Sequence, residues 1–146
     1  GESDVSVMSS LAKLLLGAIS LNSGDKSGAR ISAEEASRMS RVSGEKYIEG
    51  LAMLWVGKVI GKGDRCELAA AEEHIKAGIS LLEKMNLRPW LAEGHLFAGE
   101  LYAESGQLSR AMSSLSKAQS MFQDMGMDHW SSRATVSLQR LESSDA

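Results

Sequence analysis

Three histidines are candidates for chemistry in this chain, because imidazole binds transition metals and transfers protons near neutral pH. They are His74, His95 and His129, and none has a second histidine at the HExxH spacing or a cysteine pair nearby. A zinc site needs such ligands on one helix face or grouped in a cluster. We therefore expect helix histidines that are solvated or half-buried, with no metal ion and no cofactor.

The stretch GKVIGKGD, which begins at Gly57, looks superficially like a phosphate-binding loop. Such a loop needs a longer interval between its glycines and a Ser or Thr after the lysine, so that backbone N–H groups and a hydroxyl surround the phosphates. Here the interval is too short, and Gly63 follows Lys62. We interpret the stretch as a turn.

The single cysteine, Cys66, follows Lys62 and Arg65 at the predicted start of a helix. Positive charge and a helix N-terminus both favour a thiolate, but a nucleophilic cysteine also needs a partner base, and none is identifiable. An inert thiol is the better interpretation. One cysteine forms no internal disulfide, which agrees with a reducing compartment, and we expect a cytoplasmic protein.

Two acid pairs, Glu72 with Glu73 and Glu100 with Glu104, lie on predicted helices with nothing to mark a cleft between them. Acid pairs of this kind usually form a solvated helix face. None of the residues that could do chemistry therefore predicts an enzyme.

Composition limits the remaining classes of function. The chain has 146 residues, of which 43% are hydrophobic and 24% charged, which predicts one globular domain over 1–146. A net charge of −3 disfavours a nucleic-acid partner. The segment VMSSLAKLLLGAIS follows the acidic GESD and is interrupted by Lys13, so we interpret it as a helix and expect no membrane partner. Because the chain opens on Gly1 and closes on ESSDA, we expect a fragment of a larger protein.

An internal repeat organises the rest of the sequence. SKAQSMFQDMGMDHW begins at Ser116, and KAGISLLEKMNLRPW begins 40 positions earlier, at Lys76. Apolar and small residues recur at steps of three and four in both copies, which is one face of an α-helix. The two stripes are Leu68, Ala71, Ile75, Gly78, Leu82 and Met85, and Leu108, Ala111, Leu115, Ala118, Phe122 and Met125.

Each of these helices is preceded by another, from Glu45 to about Ile60 and from Pro89 to about Glu104. Short breaks separate the members of each pair, which predicts helical hairpins. The tryptophans fall on apolar stripes, so we interpret them as packing wedges at the joins between hairpins and not as binding platforms.

The spacing of small and aromatic residues resembles the tetratricopeptide repeat. The pattern is clearest in Gly99, Tyr102, Gly106, Ala111, Leu115 and Ala118, and it recurs in Gly17, Ser20, Gly24, Ala29, Ala33 and Ala36. The resemblance implies an all-α, right-handed superhelix of antiparallel helix pairs, with repeats at about 5–43, 44–86 and 89–126, a capping helix at about 129–141 and a tail at 142–146. In its long period and in the motif MGMDHW, the repeat resembles those found in the repeat arrays of bacterial ATP-dependent transcription activators and nucleotide cyclases.

The resemblance also implies a concave groove lined by the first helix of each pair, which would receive a protein or peptide, or another domain of the same parent chain. Carrying over the family's groove positions gives ten candidate residues: Leu14, Asn22, Leu51, Leu54, Lys58, Lys62, Glu93, Leu96, Glu100 and Glu104. Leucines would bury an amphipathic partner helix and the flanking charges would set its direction. The family members that grip acidic chaperone tails have Lys and Asn where this chain has Leu14, Leu54 and Leu96, which argues against that ligand.

Two alternatives stay open. The groove leucines would equally serve to pack against the second helices, and the first helix, apolar on nearly all sides, predicts burial or a homodimer. For function we expect a non-catalytic interaction scaffold in a bacterial signalling protein. The alternative is a regulatory sensor arm that binds a small effector and controls an attached ATPase, cyclase or transcription-activator domain.

Overall fold

Seven helices make up the part of the chain that the structure describes. The computed structural model covers residues 2–63 and 67–145, with side chains from 10 to 63 and from 67 to 143. No strand occurs within these residues, so the all-α class is confirmed. The helices are α1 Glu2–Asn22, α2 Lys26–Ser43, α3 Lys46–Gly61, α4 Leu68–Lys84, α5 Arg88–Glu104, α6 Leu108–Asp124 and α7 Asp128–Asp145.

Residues with positive φ separate most of these helices. Gly24, Gly44, Gly106 and Gly126 have φ between 69° and 88°, and Asn86 has φ 54°. Glycine adopts this left-handed conformation without steric cost and asparagine adopts it more readily than most residues, so each of them ends one helix. The turn MNL of the first copy and the turn MGM of the second are therefore equivalent in backbone conformation.

The residues up to Met85 form one compact unit. In it α1 packs on α2, α2 on α3 and α3 on α4, with a smaller contact between α1 and α3. The α3–α4 pair is antiparallel, because Gly50 approaches Leu82 whereas Gly57 approaches Ala71 and Ile75. A Cβ added at Gly78 would lie 2.8 Å from the Gly50 carbonyl oxygen. Only glycine allows the two backbones to come this close.

The residues from Asn86 onward form a second unit. There α5 packs on α6, α6 packs on α7, and α7 also contacts α5. A Cβ at Gly99 would lie 2.5 Å from Cγ of Leu115, which places the leucine side chain directly against the α5 backbone. Gly99 therefore lets α5 and α6 approach closely.

The predicted apolar stripes are the buried faces of their helices. Ala71, Ile75, Gly78 and Leu82 are buried in α4, and Ala111, Leu115, Ala118 and Phe122 are buried in α6. Helices α4 and α6 also start 40 residues apart, at Leu68 and Leu108. The interval seen in the sequence thus recurs in the helix bounds.

Some boundaries differ from the predicted ones. Helix α7 continues through the segment expected to be a tail and reaches Asp145, and α3 runs through Gly61, so most of GKVIGKGD is helical. Cys66, for which an inert thiol was predicted, lies outside the described residues. None of the described helices is long and apolar enough to cross a membrane.

Candidate functional site

The four leucines assigned to the concave groove are buried. Leu14, Leu51, Leu54 and Leu96 are 5%, 8%, 0% and 0% exposed. In the hairpin of α3 and α4, a Cβ on Gly78 would lie 2.8 Å from Cδ2 of Leu54, so that leucine fills the helix interface. Their burial agrees with the packing alternative, and partner contact through these leucines stays a prediction.

The polar groove candidates of the first unit are accessible to different degrees. Asn22 is exposed at the end of α1, whereas Lys58 and Lys62 are half-buried. The Lys58 ammonium lies 4.8 Å from the centre of the Trp55 ring, a cation–π contact that already engages it. Lys62 follows the last residue of α3. Partner binding at these positions stays a prediction.

In the second unit, Glu93 and Glu100 are half-buried and Glu104 is exposed. Glu100 does not form the solvated face that its pairing with Glu104 suggested: its Oε1 accepts a hydrogen bond from Arg133 Nη2 at 2.9 Å. This charge-assisted bond joins α5 to α7. Glu100 therefore has an internal partner, which reduces its availability to an external one.

Trp130 behaves as the predicted packing wedge. It is half-buried and stacks on Phe122 with ring centres 5.7 Å apart, which ties the start of α7 to α6. The Arg133 guanidinium lies 5.5 Å from the centre of the same ring. The residues on which Trp130 packs, Phe122 and Arg133, belong to its own unit.

Helix α1 is buried on one side only, and the homodimer expected as the alternative to full burial stays a prediction. One side packs against α2, but Leu15, Leu16 and Ile19 are 65%, 50% and 63% exposed. Their spacing places them on one helix face together with exposed Ala12. This strip is called the α1 face below.

A groove that the sequence did not indicate runs along α3 between α2 and α4. Its volume is about 440 Å³, and each helix contributes three residues. We call it the α3 groove, and its residues are Glu34, Ser37 and Arg41 of α2, Glu49, Met53 and Val56 of α3, and Glu73, His74 and Ala77 of α4. None of the ten predicted partner-contacting residues lies in it.

Burial separates the floor of this groove from its walls. The α3 residues form the floor, because Glu49 and Val56 are buried and Met53 is half-buried, whereas exposed residues such as Glu34 and Glu73 lie on the flanking helices. At a rise of 1.5 Å per residue, the floor from Glu49 to Val56 is roughly 10 Å long. It carries a carboxylate at one end and apolar side chains along the rest.

The carboxylate of Glu49 is the least ordinary group in the groove. Its side chain is only 8% exposed, and Oε2 is buried without a hydrogen-bond partner. The nearest cations are Lys46, whose Nζ lies 3.6 Å from Oε2, and Arg41, whose Nε lies 3.9 Å from Oε1. Both distances exceed those of a charge-assisted hydrogen bond.

The position of Glu49 in its helix offsets part of the free-energy cost of burying the carboxylate. It lies in the first turn of α3, where the helix dipole favours a negative charge by about 0.3–1 kcal/mol. A polar group that is buried without a hydrogen bond loses roughly 1–3 kcal/mol, and a charged group loses more. The dipole and two loosely placed cations therefore leave the carboxylate under-satisfied.

Other polar groups on the walls are already oriented. Arg41 Nη2 donates to Ser37 Oγ at 3.2 Å, and Arg30 Nε donates to Glu34 Oε1 at 2.9 Å, which raises the pKa of Arg30. His74 Nδ1 lies 2.8 Å from the Ala70 carbonyl oxygen, which only accepts. The Nδ1 atom is thus the donor, and in the neutral ring Nε2 remains an acceptor.

One feature of the sequence could have pointed to this site. Glu49 is the only acidic residue of α3, a helix of 16 residues with apolar side chains on most sides. A charged residue in a helix that is buried on most sides is uncommon unless it is paired or functional. The walls had no comparable signal, because their residues converge only through packing of three helices.

Comparison with known proteins adds no family. No protein-family model matches the chain, and no curated protein matches it significantly. Among the described residues, no group of three or more His, Cys, Asp or Glu side chains is placed to hold a metal ion. The site is therefore interpreted from its geometry alone.

Proposed function

We propose that this chain is a non-catalytic protein-interaction module that docks a segment of a partner protein, or of another domain of its own parent chain. The observation that carries the proposal is the α3 groove, with a volume of about 440 Å³ and walls from three helices. A groove of this kind is formed before the ligand arrives, so little ordering of the protein opposes binding. This moves the docking site from the predicted concave residues to the face of α2, α3 and α4.

The finer architecture belongs to the same proposal. A right-handed superhelix of about three tetratricopeptide-like repeats with a capping helix agrees with antiparallel hairpins and with the interval of 40 between the starts of α4 and α6. Stacked hairpins of this type present grooves between helices to peptides. A role within a larger bacterial signalling protein rests on the resemblance stated above.

Peptide selection with a groove-blocking variant tests the proposal. The whole chain is panned against a random nonapeptide library, in parallel with Ala77→Trp, which places an indole in the α4 wall of the groove. Ala69→Trp is the matched control, because Ala69 is also an exposed alanine of α4 but does not line the groove. We expect peptides that bind the native chain and Ala69→Trp and lose binding to Ala77→Trp. Equal binding to all three proteins would exclude the groove.

A small effector is the second candidate ligand, as expected for a regulatory sensor arm. The groove volume of about 440 Å³ lies within the range of small-molecule pockets. A thermal-shift screen of small organic cations and anions against the same three proteins separates the candidates. Stabilisation by a small molecule that Ala77→Trp abolishes, without any peptide selected, would favour the sensor arm.

A further inference from the structure

We infer that the α3 groove recognises an arginine side chain of the docked peptide, and that Glu49 is the residue that binds its guanidinium. The inference rests on the proposed function and names the chemistry of the ligand. Two observations carry it: the buried carboxylate that accepts no hydrogen bond at Oε2, and the apolar floor.

The carboxylate supplies the recognition group. Oε2 of Glu49 is buried and accepts no hydrogen bond, so a donor delivered by a ligand would satisfy an atom that has only the ion pair with Lys46. A guanidinium presents donors in a planar fork that matches a carboxylate, and it is more weakly hydrated than an ammonium. It therefore enters a half-enclosed groove with a smaller desolvation cost than lysine.

The charges around the groove are mixed. Three carboxylates line it, those of Glu34, Glu49 and Glu73, together with the guanidinium of Arg41. Arg30 pairs with Glu34, and Nζ of Lys46 lies 3.6 Å from Oε2 of Glu49. A ligand cation would therefore be recognised by hydrogen bonds to the buried carboxylate and not by the net charge of the walls.

The floor accommodates the rest of an arginine side chain. Met53 and Val56 continue from Glu49 along α3 at steps of four and three residues, which keeps them on one helix face. An aliphatic stem lies well on such side chains while its charged head reaches the carboxylate. A thioether also adapts its shape to the ligand.

Two cations of the protein already lie near the carboxylate of Glu49. Arg41 and Lys46 are 62% and 63% exposed, and their contacts with Glu49 are 3.9 Å and 3.6 Å. Because the carboxylate is buried while both cations are exposed, an arriving guanidinium would have to replace the charge of the side chain that it displaces. The position of Arg41 also indicates that a guanidinium fits near this carboxylate.

The test uses the selection described above and reads the residue types of the recovered peptides. We expect one position to be enriched in arginine with the native chain and with Glu83→Gln, an exposed carboxylate of α4 outside the groove, and to lose that enrichment with Glu49→Gln. Calorimetry on the recovered peptide should show at least tenfold weaker binding when arginine is replaced by citrulline, and a smaller loss with lysine. The citrulline peptide changes only the ligand, so it tests the inference even if Glu49→Gln folds poorly.

The outcomes separate this inference from the proposed function. Peptides that bind in the groove without an arginine preference, or that tolerate citrulline and Glu49→Gln, would overturn the inference and leave the docking function intact. Tight binding of free N-acetylargininamide, with no gain from the surrounding peptide, would assign the site to a small guanidinium compound and overturn recognition of a peptide. Failure to recover any peptide would overturn both.

Discussion

Arg41 and Glu49 face each other across the interface of α2 and α3 without forming a hydrogen bond. Nε of Arg41 lies 3.9 Å from Oε1 of Glu49, while its Nη2 donates to Ser37 Oγ at 3.2 Å. The guanidinium is thus anchored to its own helix and is close enough to Glu49 only for a weak attraction. The carboxylate remains available, and this relationship underlies the assignment of the site.

Replacement of Glu49 by methionine is expected to stabilise the protein. Methionine has a similar volume and removes a carboxylate that the fold buries without a hydrogen bond, so we expect the free energy of unfolding in urea to rise by about 1 kcal/mol. The same variant should lose binding of arginine peptides, as is common when a binding residue is costly to the fold. A loss of more than about 1 kcal/mol would show instead that the fold requires this carboxylate.

Alanine at Gly78 is expected to destabilise the first unit. Glycine to alanine inside a helix normally stabilises by about 0.5–1 kcal/mol, but here the new Cβ would lie 2.8 Å from both the Gly50 oxygen and Leu54 Cδ2. We expect a net loss of about 1–3 kcal/mol in urea unfolding. Ser80→Ala, on the exposed side of α4, is the control and should change stability little. A stabilised Gly78→Ala protein would contradict the close packing of α3 on α4.

The bond between Arg133 and Glu100 is expected to contribute to the second unit. The guanidinium and the carboxylate are 37% and 20% exposed, so solvent screens the pair in part. A double-mutant cycle with Arg133→Met and Glu100→Gln should give a coupling energy of about 0.5–1 kcal/mol that falls at high salt. A coupling energy near zero would mean that the bond does not hold α7 to α5 in solution.

Self-association through the α1 face is the expected consequence of its exposed side chains. Leu15, Leu16 and Ile19 form an apolar strip, and a two-fold axis would place the same strip of a second copy against it. Sedimentation velocity should detect a concentration-dependent dimer, and Leu16→Glu should shift it toward monomer. Ile31→Glu, at a residue of α2 that is 64% exposed, is the control and should leave the equilibrium unchanged. A monomer at every concentration would exclude this pairing.

The sequence was sufficient to predict what depends on local periodicity. The stripe Ala71, Ile75, Gly78 and Leu82 is buried as predicted, because a step of three or four residues defines a helix face whatever the helix packs against. The spacing of apolar residues alone could not show which of them are buried against another helix and which face solvent. Leu54 was assigned to the groove, with packing as the alternative, and is fully buried, whereas Leu15 lies on a helix expected to be buried or to form a homodimer and is 65% exposed.

The candidate site depended on information that periodicity does not contain. Glu34, Glu49 and Glu73 come from three helices, and their convergence in one groove follows from how α2 and α4 pack beside α3. A lone acid in α3 was visible in the sequence, but its burial was not. Charged residues on amphipathic helices usually face solvent, which is why Glu49 was not singled out.

Methyl NMR of the methionines tests the docking site most directly. Met53 lies in the floor of the α3 groove, whereas Met112 is exposed on α6 and provides an internal control. On titration with the selected arginine peptide, we predict a saturable shift of the Met53 methyl resonance, with that of Met112 unchanged. A peptide that binds by calorimetry and leaves the Met53 resonance in place would contradict docking in the α3 groove.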